Sequence, residues 1–578
     1  MEKLSISQSA VFEMSKFGED SIANIAGDIF FQDQYGINEV ADAVNELLKK
    51  ADILRSRIFE NTDGVFQTII PYCIENLKVD YFQSIENYTC FAKREAEIPV
   101  PLDGCLYRIT IVNVCGRTGV FCVLHHIIGD AWSMGIIAEK LNEYLHSGNM
   151  SDIVPYSEHM NSEHSYLIGK RYEKDKQYWL SACSAREEEA FLSSKRIKSN
   201  RADRAEFILT EEQTSAIKKY CLDNNLSNYS LFLTAVSVWF HRITDSAQFY
   251  IGTPVLNRST NDEKNTIGVF INTIPLPVAV PDGTSFGELA CVLSDTILSA
   301  FRHQKYHYSE LLKELRKEKR LQGVLYDVIV SYQNVSLSDG IKEKWYCCKA
   351  QAESLQIHID DRNNDGVFHI AIDYQTEKFK AAEIERMYAQ LICILTDGIK
   401  NSRRDIWQLA LLPEAEYRKV VYSFNDTAAD YPKEKCVHQL FEELTALHPE
   451  NTALIACDKT LTYGELNESA NRIAHALINR GVTPGDIVAF KLLRRSYLIA
   501  TMLGILKAGA AYMPIDPSFP QGRIDYMLDD SKAAFCVDEN NIHELLADIN
   551  TKNLLIEVSS QNSCYCIYTS GSTGKPKG

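Results

Sequence analysis

TGVFCVLHHIIGDAWSMGIIAEKLNEYLHSG, residues 118–148, is the stretch on which the fold turns. Its first nine residues, 118–126, form an apolar run of strand length. With CLYRITIVNV (105–114) before it, the run predicts two strands joined by a short turn at Cys115-Gly116-Arg117. From Gly129 the spacing changes to that of an amphipathic helix over 129–148, capped by Asp130 and closed by Gly148. Two histidines, His125 and His126, therefore fall where the strand ends, and the turn through Gly129 brings Asp130 back beside them.

Working outward, helical and strand patterns alternate through the first 410 residues. Residues 36–59 read as a helix running into a strand. A long charged helix over 158–180 reads as a spacer between two lobes. The pattern then restarts with a strand (205–209), helices (211–224 and 227–244) and a strand (249–255), and later strands fall at 327–335 and 367–375. Two mixed lobes of similar size, 1–175 and 176–410, imply a cleft between them. Residues 411–436 hold few periodic signals and suit a linker. Over 437–578 helices at 467–480, 495–508 and 521–530 alternate with strands at 486–492, 511–516, 533–539 and 554–558, as in a parallel α/β sheet. The final YTSGSTGKPKG (568–578) places a strand and a glycine loop before no helix, so the C-terminus reads as truncated.

Composition narrows the function. Sixty Lys and Arg face 77 Asp and Glu, a net charge of −17, and no concentrated basic patch is present, which argues against nucleic acid as a partner. The basic run at 313–320 is interleaved with Glu and reads as a solvated helix face. No apolar run reaches 18 residues and the N-terminus lacks a signal region, so a cytoplasmic protein without a membrane span is expected. The 16 Cys show no metal-binding spacing, and a metal site is not expected.

A histidine at a strand end, with an unperturbed pKa of about 6.5, is able to accept a proton from an attacking amine or alcohol. No Ser or Cys nucleophile with partners is evident, so direct transfer to an acceptor fits better than a covalent acyl-enzyme. On spacing alone, catalysis and simple core packing of the histidines both remain open.

The segment His125–Ala131 resembles the HHxxxDG signature of condensation domains of nonribosomal peptide synthetases, a family that shares its two-lobed fold with chloramphenicol acetyltransferase. Further boxes follow in order: LSISQSAVFEM (4–14), ADILRSRI (51–58), IGVFINTIPL (267–276), RHQKYHY (302–308) and DVIVSYQN (327–334). The resemblance implies that His126 is catalytic with His125 supporting it. It also implies that Asp130, grouped with the catalytic set, is buried and paired with Arg258, while Gly129 shapes the turn. Such a pair makes physical sense because Arg supplies a buried carboxylate with two parallel hydrogen bonds. Ala131 departs from the family Gly; at a positive φ it would be strained, in a first helical turn it is tolerated.

The C-terminal part resembles amino-acid adenylation domains through LTYGELN (461–467), LKAGAAYMPIDPSFPQGRIDYMLDDS (506–531) and the loop YTSGSTGKPKG. That loop is not a Walker loop, for the spacing is absent. The resemblance implies phosphate contacts from Thr569, Ser570, Gly571, Ser572, Thr573, Gly574 and Lys577. It further implies an α/β fold of two acetyltransferase-like lobes followed by part of an adenylate-forming domain. ATP and Mg would serve the intact adenylation domain, and 4'-phosphopantetheine would arrive on separate carrier domains. Partners would be donor and acceptor carriers bearing acyl or peptidyl and aminoacyl thioesters, with the fragment itself monomeric. Amide-forming condensation is the expected activity, in antibiotic or other secondary-metabolite synthesis. A starter domain that acylates an amino acid with a fatty acyl group, and an inactive carrier-docking platform, are the alternatives.

Overall fold

The computed structural model describes all residues except 1, 17–20, 184–191, 193–198, 319, 322, 335–340, 363–364 and 570–575. The chain divides into two compact units, Met1–Asn425 and Asp426–Gly578.

In the first unit the predicted pair of strands forms as Tyr107–Val114 and Arg117–His125. They are antiparallel, and the turn is tightened to Cys115 and Gly116, both at positive φ (50° and 87°), as a two-residue hairpin turn requires. These strands lie within a five-stranded sheet ordered Ile341–Tyr346, Asn24–Phe31, Arg117–His125, Tyr107–Val114, Lys78–Phe82. Helices Ile37–Lys50 and Ala131–Ser147 cover one face through Val40, Val44, Leu47, Met134, Ile137 and Leu141. Helix Ile85–Glu97 covers the other through Phe91 and Ala92. The strand after the first of these helices also forms, at Ser56–Asn61, but after a short 3-10 turn rather than directly.

A six-stranded sheet builds the second lobe, ordered Asn272–Ala279, Gln248–Val255, Val328–Gln333, Leu355–Asp360, His369–Gln375, Ala202–Ile208. Helices Asn228–Thr244, Phe286–Arg302 and Ala381–Lys400 bury their apolar residues against one face of it. The spacer predicted as one helix is two, Tyr156–Leu167 and Lys170–Ala182. The break falls at Ile168 and Gly169, where the Gly169 N–H bonds the Tyr166 carbonyl and extended φ/ψ at Gly169 starts the next helix.

One strand crosses between the lobes. Ile341–Tyr346 follows the second-lobe strand Val328–Gln333 in sequence but pairs antiparallel with Asn24–Phe31 of the first sheet. Its anchor is polar. Tyr346 Oη and Tyr88 Oη both donate to Asp28 Oδ2, at 2.6 and 2.8 Å, inside the first lobe. Burial raises the Asp28 carboxyl above its ordinary range even though both tyrosines favour the anion.

The second unit contains the expected parallel strands Ala511–Pro514, Ile487–Lys491 and Phe535–Asp538, with helices Tyr463–Asn479, Ser496–Lys507 and Gln521–Ser531. The strand expected at 554–558 does not form: this segment pairs with no neighbour, and Leu555 is fully exposed. An extended segment without a partner leaves its backbone groups to water.

Tyr346→Phe removes one of the two hydroxyls on a buried carboxyl. It is expected to lower unfolding free energy by roughly 1–3 kcal/mol in equilibrium denaturation, with little change in the far-UV spectrum.

Candidate active site

The strand Arg117–His125 delivers His125 as its last residue, and His126 opens a 3-10 turn to Ile128. The two rings meet different surroundings. His125 is buried; its Nδ1 accepts the Ile127 N–H at 3.1 Å and its Nε2 lies 3.4 Å from Ser15 Oγ. Burial, helped by the neighbouring His126, lowers its pKa to about 4. His126 is partly exposed, while its Nδ1 is buried without a hydrogen-bond partner. Burial lowers the His126 pKa against the pull of the Asp130 carboxylate, which favours the uncharged ring.

Asp130 sits at the N-cap of helix Ala131–Ser147 and accepts the Ser133 N–H at 2.9 Å. Ala131 is the first helical residue and has no positive φ, so the departure from glycine costs no backbone strain. Gly129 is buried and extended, where a Cβ would press to 3.2 Å on the Leu124 side chain.

The Asp130–Arg258 pair forms, and both side chains are all but inaccessible. Its geometry differs from two parallel bonds: Arg258 Nη2 alone straddles both carboxylate oxygens, at 3.0 and 3.2 Å. Nη1 turns instead to the carbonyls of Glu263 and Thr266, the latter at 2.7 Å. The guanidinium lies over the Phe270 ring, 3.8 Å from its centroid, and the Phe270 N–H donates to Asp130 Oδ2 at 3.0 Å. Ser133 Oγ donates to the Gly268 carbonyl and accepts the Gly268 N–H, at 2.8 and 3.0 Å. Thus the box at 267–276, recognised in the sequence without a role, is the clamp that holds the histidine turn.

The sequence reading missed His159. Its ring leans on Phe270, with centroids 4.0 Å apart and the planes tilted by 42°, and both its nitrogens are buried without partners. A cavity of about 30 Å3 lies beside it, lined also by Glu163, Asn257, Lys305 and His307. A larger cavity of about 320 Å3 opens between Glu75, Lys78, Tyr107, Arg108 and Phe121 in the first lobe. His126 lines neither.

In the second unit, Thr569 and Lys577 are exposed and close a loop through paired backbone bonds of 2.9 and 3.0 Å. Ser570, Gly571, Ser572, Thr573 and Gly574 lie outside the described residues. Among the described residues no cluster of His, Cys, Asp and Glu able to hold a metal is present, and all 16 cysteines are free. Nor is any described helix long and apolar enough to cross a membrane.

A two-lobed unit with paired histidines on a clamped strand end, followed by an α/β unit, is the architecture expected of a condensation domain joined to part of an adenylation domain. The chain belongs to the condensation-domain family, matched over residues 2–421, and continues into the AMP-binding enzyme family over 441–578, the arrangement of nonribosomal peptide synthetases. It is 29% identical over 613 residues to surfactin synthase subunit 1 of Bacillus subtilis, covering all of this chain and 17% of that protein. It is 28% identical over 593 residues to one of the plipastatin synthase proteins of the same organism, covering 97% and 23%. The chain therefore spans about a fifth of the length of these relatives. Its fold also matches the crystal structure of holo-AB3403, a four-domain nonribosomal peptide synthetase bound to AMP and glycine. That likeness has a TM-score of 0.81 at 19% identity and covers all of this chain and 47% of that one.

Arg258→Ala leaves the buried Asp130 charge uncompensated and is expected to cost on the order of 3–5 kcal/mol in denaturant unfolding. His125 gives a pH signature. Its folded pKa of about 4 lies below the unfolded value of about 6.5, so the unfolded chain holds the proton more tightly. Stability contributed by the neutral ring is complete above pH 6.5 and is lost as pH falls toward 4. Unfolding midpoints measured across that window should fall less steeply in His125→Gln.

Proposed function

We propose that residues 1–410 form an acyltransferase that joins an acyl or peptidyl thioester to the amine of an aminoacyl thioester, with His126 as its catalytic base. The lobes are taken as 1–175 and 176–410, the linker as 411–436 and the adenylation part as 437–578. One observation carries the reading: a partly exposed imidazole, its uncharged form favoured by burial, on a turn fixed by the buried Asp130–Arg258 pair.

The amine attacks the thioester carbonyl, its proton passes to His126, and the collapse of the tetrahedral intermediate expels the donor thiol, which takes up that proton. His125 and Asp130 act as positioning residues, the first through the Ile127 N–H, the second through the helix cap and Arg258. Holding two tethered substrates together supplies much of the rate. The thioesters reach the site on phosphopantetheine arms of donor and acceptor carrier domains. The match to surfactin and plipastatin synthases supports peptide-antibiotic or related secondary-metabolite synthesis as the setting.

For the second unit, the exposed Thr569 hydroxyl and Lys577 ammonium are donors of the kind that phosphate oxygens accept, which fits ATP with Mg. ATP would supply an activated acyl phosphate anhydride to the intact adenylation domain; these two residues would hold phosphate.

His126→Ala is expected to abolish amide formation between carrier-bound thioesters while leaving the thermal unfolding profile within a few degrees of the parent. Product formed at a near-parental rate by the folded variant would remove His126 from the chemistry.

A further inference from the structure

One face of the second sheet carries a row of four polar side chains on four neighbouring strands, with Ser331 and Asp373 buried and His358 and Arg204 half-buried. Ser331 stands opposite His358 across a parallel pair, and Asp373 stands opposite Arg204 across an antiparallel pair. The strand between them, Leu355–Asp360, pairs with His369–Gln375 so that His358 and Asp373 are diagonal neighbours. The intervening residues Ile357, Ile359 and Ile372 go into the core on the other face, as the two-residue period demands.

The row is hydrogen-bonded end to end. Ser331 Oγ lies 2.8 Å from His358 Nδ1, and His358 Nε2 lies 3.2 Å from Asp373 Oδ2. Arg204 grips Asp373 through Nε and Nη2, at 2.6 and 2.8 Å. Burial pushes the Asp373 carboxyl up, but the bonds from Arg204 and His358 override it and hold the acid well below its usual range. An ionised Asp373 accepts only, so Nε2 carries the ring proton and Nδ1 presents its lone pair to the serine hydroxyl. Nucleophile, base and orienting carboxylate then stand in the order that activates a serine. A cross-strand staple needs no such order: Arg204 and Asp373 already satisfy each other. No serine with partners is evident in the sequence, and only the folded sheet assembles this row. Its members, 27 and 15 residues apart in sequence, meet only through sheet register.

We propose that Ser331 is a nucleophile toward activated acyl groups, giving the second lobe a slow acyl-hydrolase activity separate from the chemistry at His126. In the first step an Oγ–C bond forms as the C–S bond of a thioester breaks. The serine proton passes to His358 Nδ1 and then to the departing thiolate. In the second step water attacks the acyl-serine ester, gives its proton to Nδ1, and the ester oxygen leaves as Ser331 hydroxyl with that proton. The sum is thioester plus water giving carboxylic acid plus thiol. Asp373 shares its charge with Arg204, which dilutes its support of the imidazole, and turnover is slow. The choice of thioester as acyl source rests on the condensation reading; the nucleophilicity of the serine does not.

The full chain treated with a fluorophosphonate probe and digested for mass spectrometry should carry the adduct on Ser331. The adduct should vanish in Ser331→Ala, form at least tenfold more slowly in His358→Gln, and persist in His126→Ala. Thiol release from an acyl-N-acetylcysteamine thioester should fall in parallel in the first two variants, with each variant's fold checked by thermal unfolding. A folded parent that leaves Ser331 unlabelled, or equal labelling in folded His358→Gln, overturns the nucleophile. Labelling without thiol release overturns thioesters as the substrate class, and loss of condensation in His126→Ala with the label intact keeps the two sites distinct.

Discussion

Asp130 and Arg258 meet where water is all but excluded, and a lone charge there would be expensive. The cost is offset by hydrogen bonds that use most of the polar atoms of the pair, Arg258 Nε alone of the guanidinium nitrogens being buried without a partner. Asp130 takes the Ser133 and Phe270 amides and Arg258, so a single carboxylate starts a helix and closes a loop 140 residues away. Arg258 answers by bonding carbonyls at Glu263, Thr266 and Gly268. Residues of the first lobe thereby position a segment of the second, and the imidazole of His126 stands four residues before the carboxylate that all of this converges on. The pair matters for what it fixes in place more than for any net stability.

A second tie between the lobes works by a different means. The strand Ile341–Tyr346 leaves the second lobe and completes the first sheet, anchored by a carboxyl that burial biases toward its neutral form. Here the shared element is backbone, and the polar group inside it is satisfied by two phenols rather than by a cation. The two devices divide the labour: one sets the local turn, the other sets which lobe owns the edge of which sheet.

Local chemistry explains what the sequence disclosed. The hairpin, the cap at Asp130, the αL glycine at 148 and the unstrained Ala131 follow from neighbours within a few residues, and each was legible. The partner of Asp130 was legible through resemblance alone, since nothing at 258 marks it as buried. Its geometry was not, for one nitrogen rather than two meets the carboxylate. Two further features were invisible for the same reason. Pairing of the strand Ile341–Tyr346 with the first sheet, and the alignment of Ser331, His358 and Asp373, depend on long-range register, which no local pattern encodes. The failed strand at 554–558 is the converse: a strand-like composition with no neighbour to pair with.

Burial of His126 has a consequence for how amide formation would proceed. A ring whose pKa is lowered is a poor base toward a free ammonium group, so it has little power to prepare the nucleophile before attack. Attack by an already neutral amine changes the balance. The nitrogen becomes positively charged as the new bond forms, its N–H acidity rises steeply, and a weak base then suffices. The same ring, once protonated, would sit where burial disfavours its charge, and would return the proton to a departing thiolate. On the proposed reading, burial would shift the imidazole's work from before the carbon–nitrogen bond to after it.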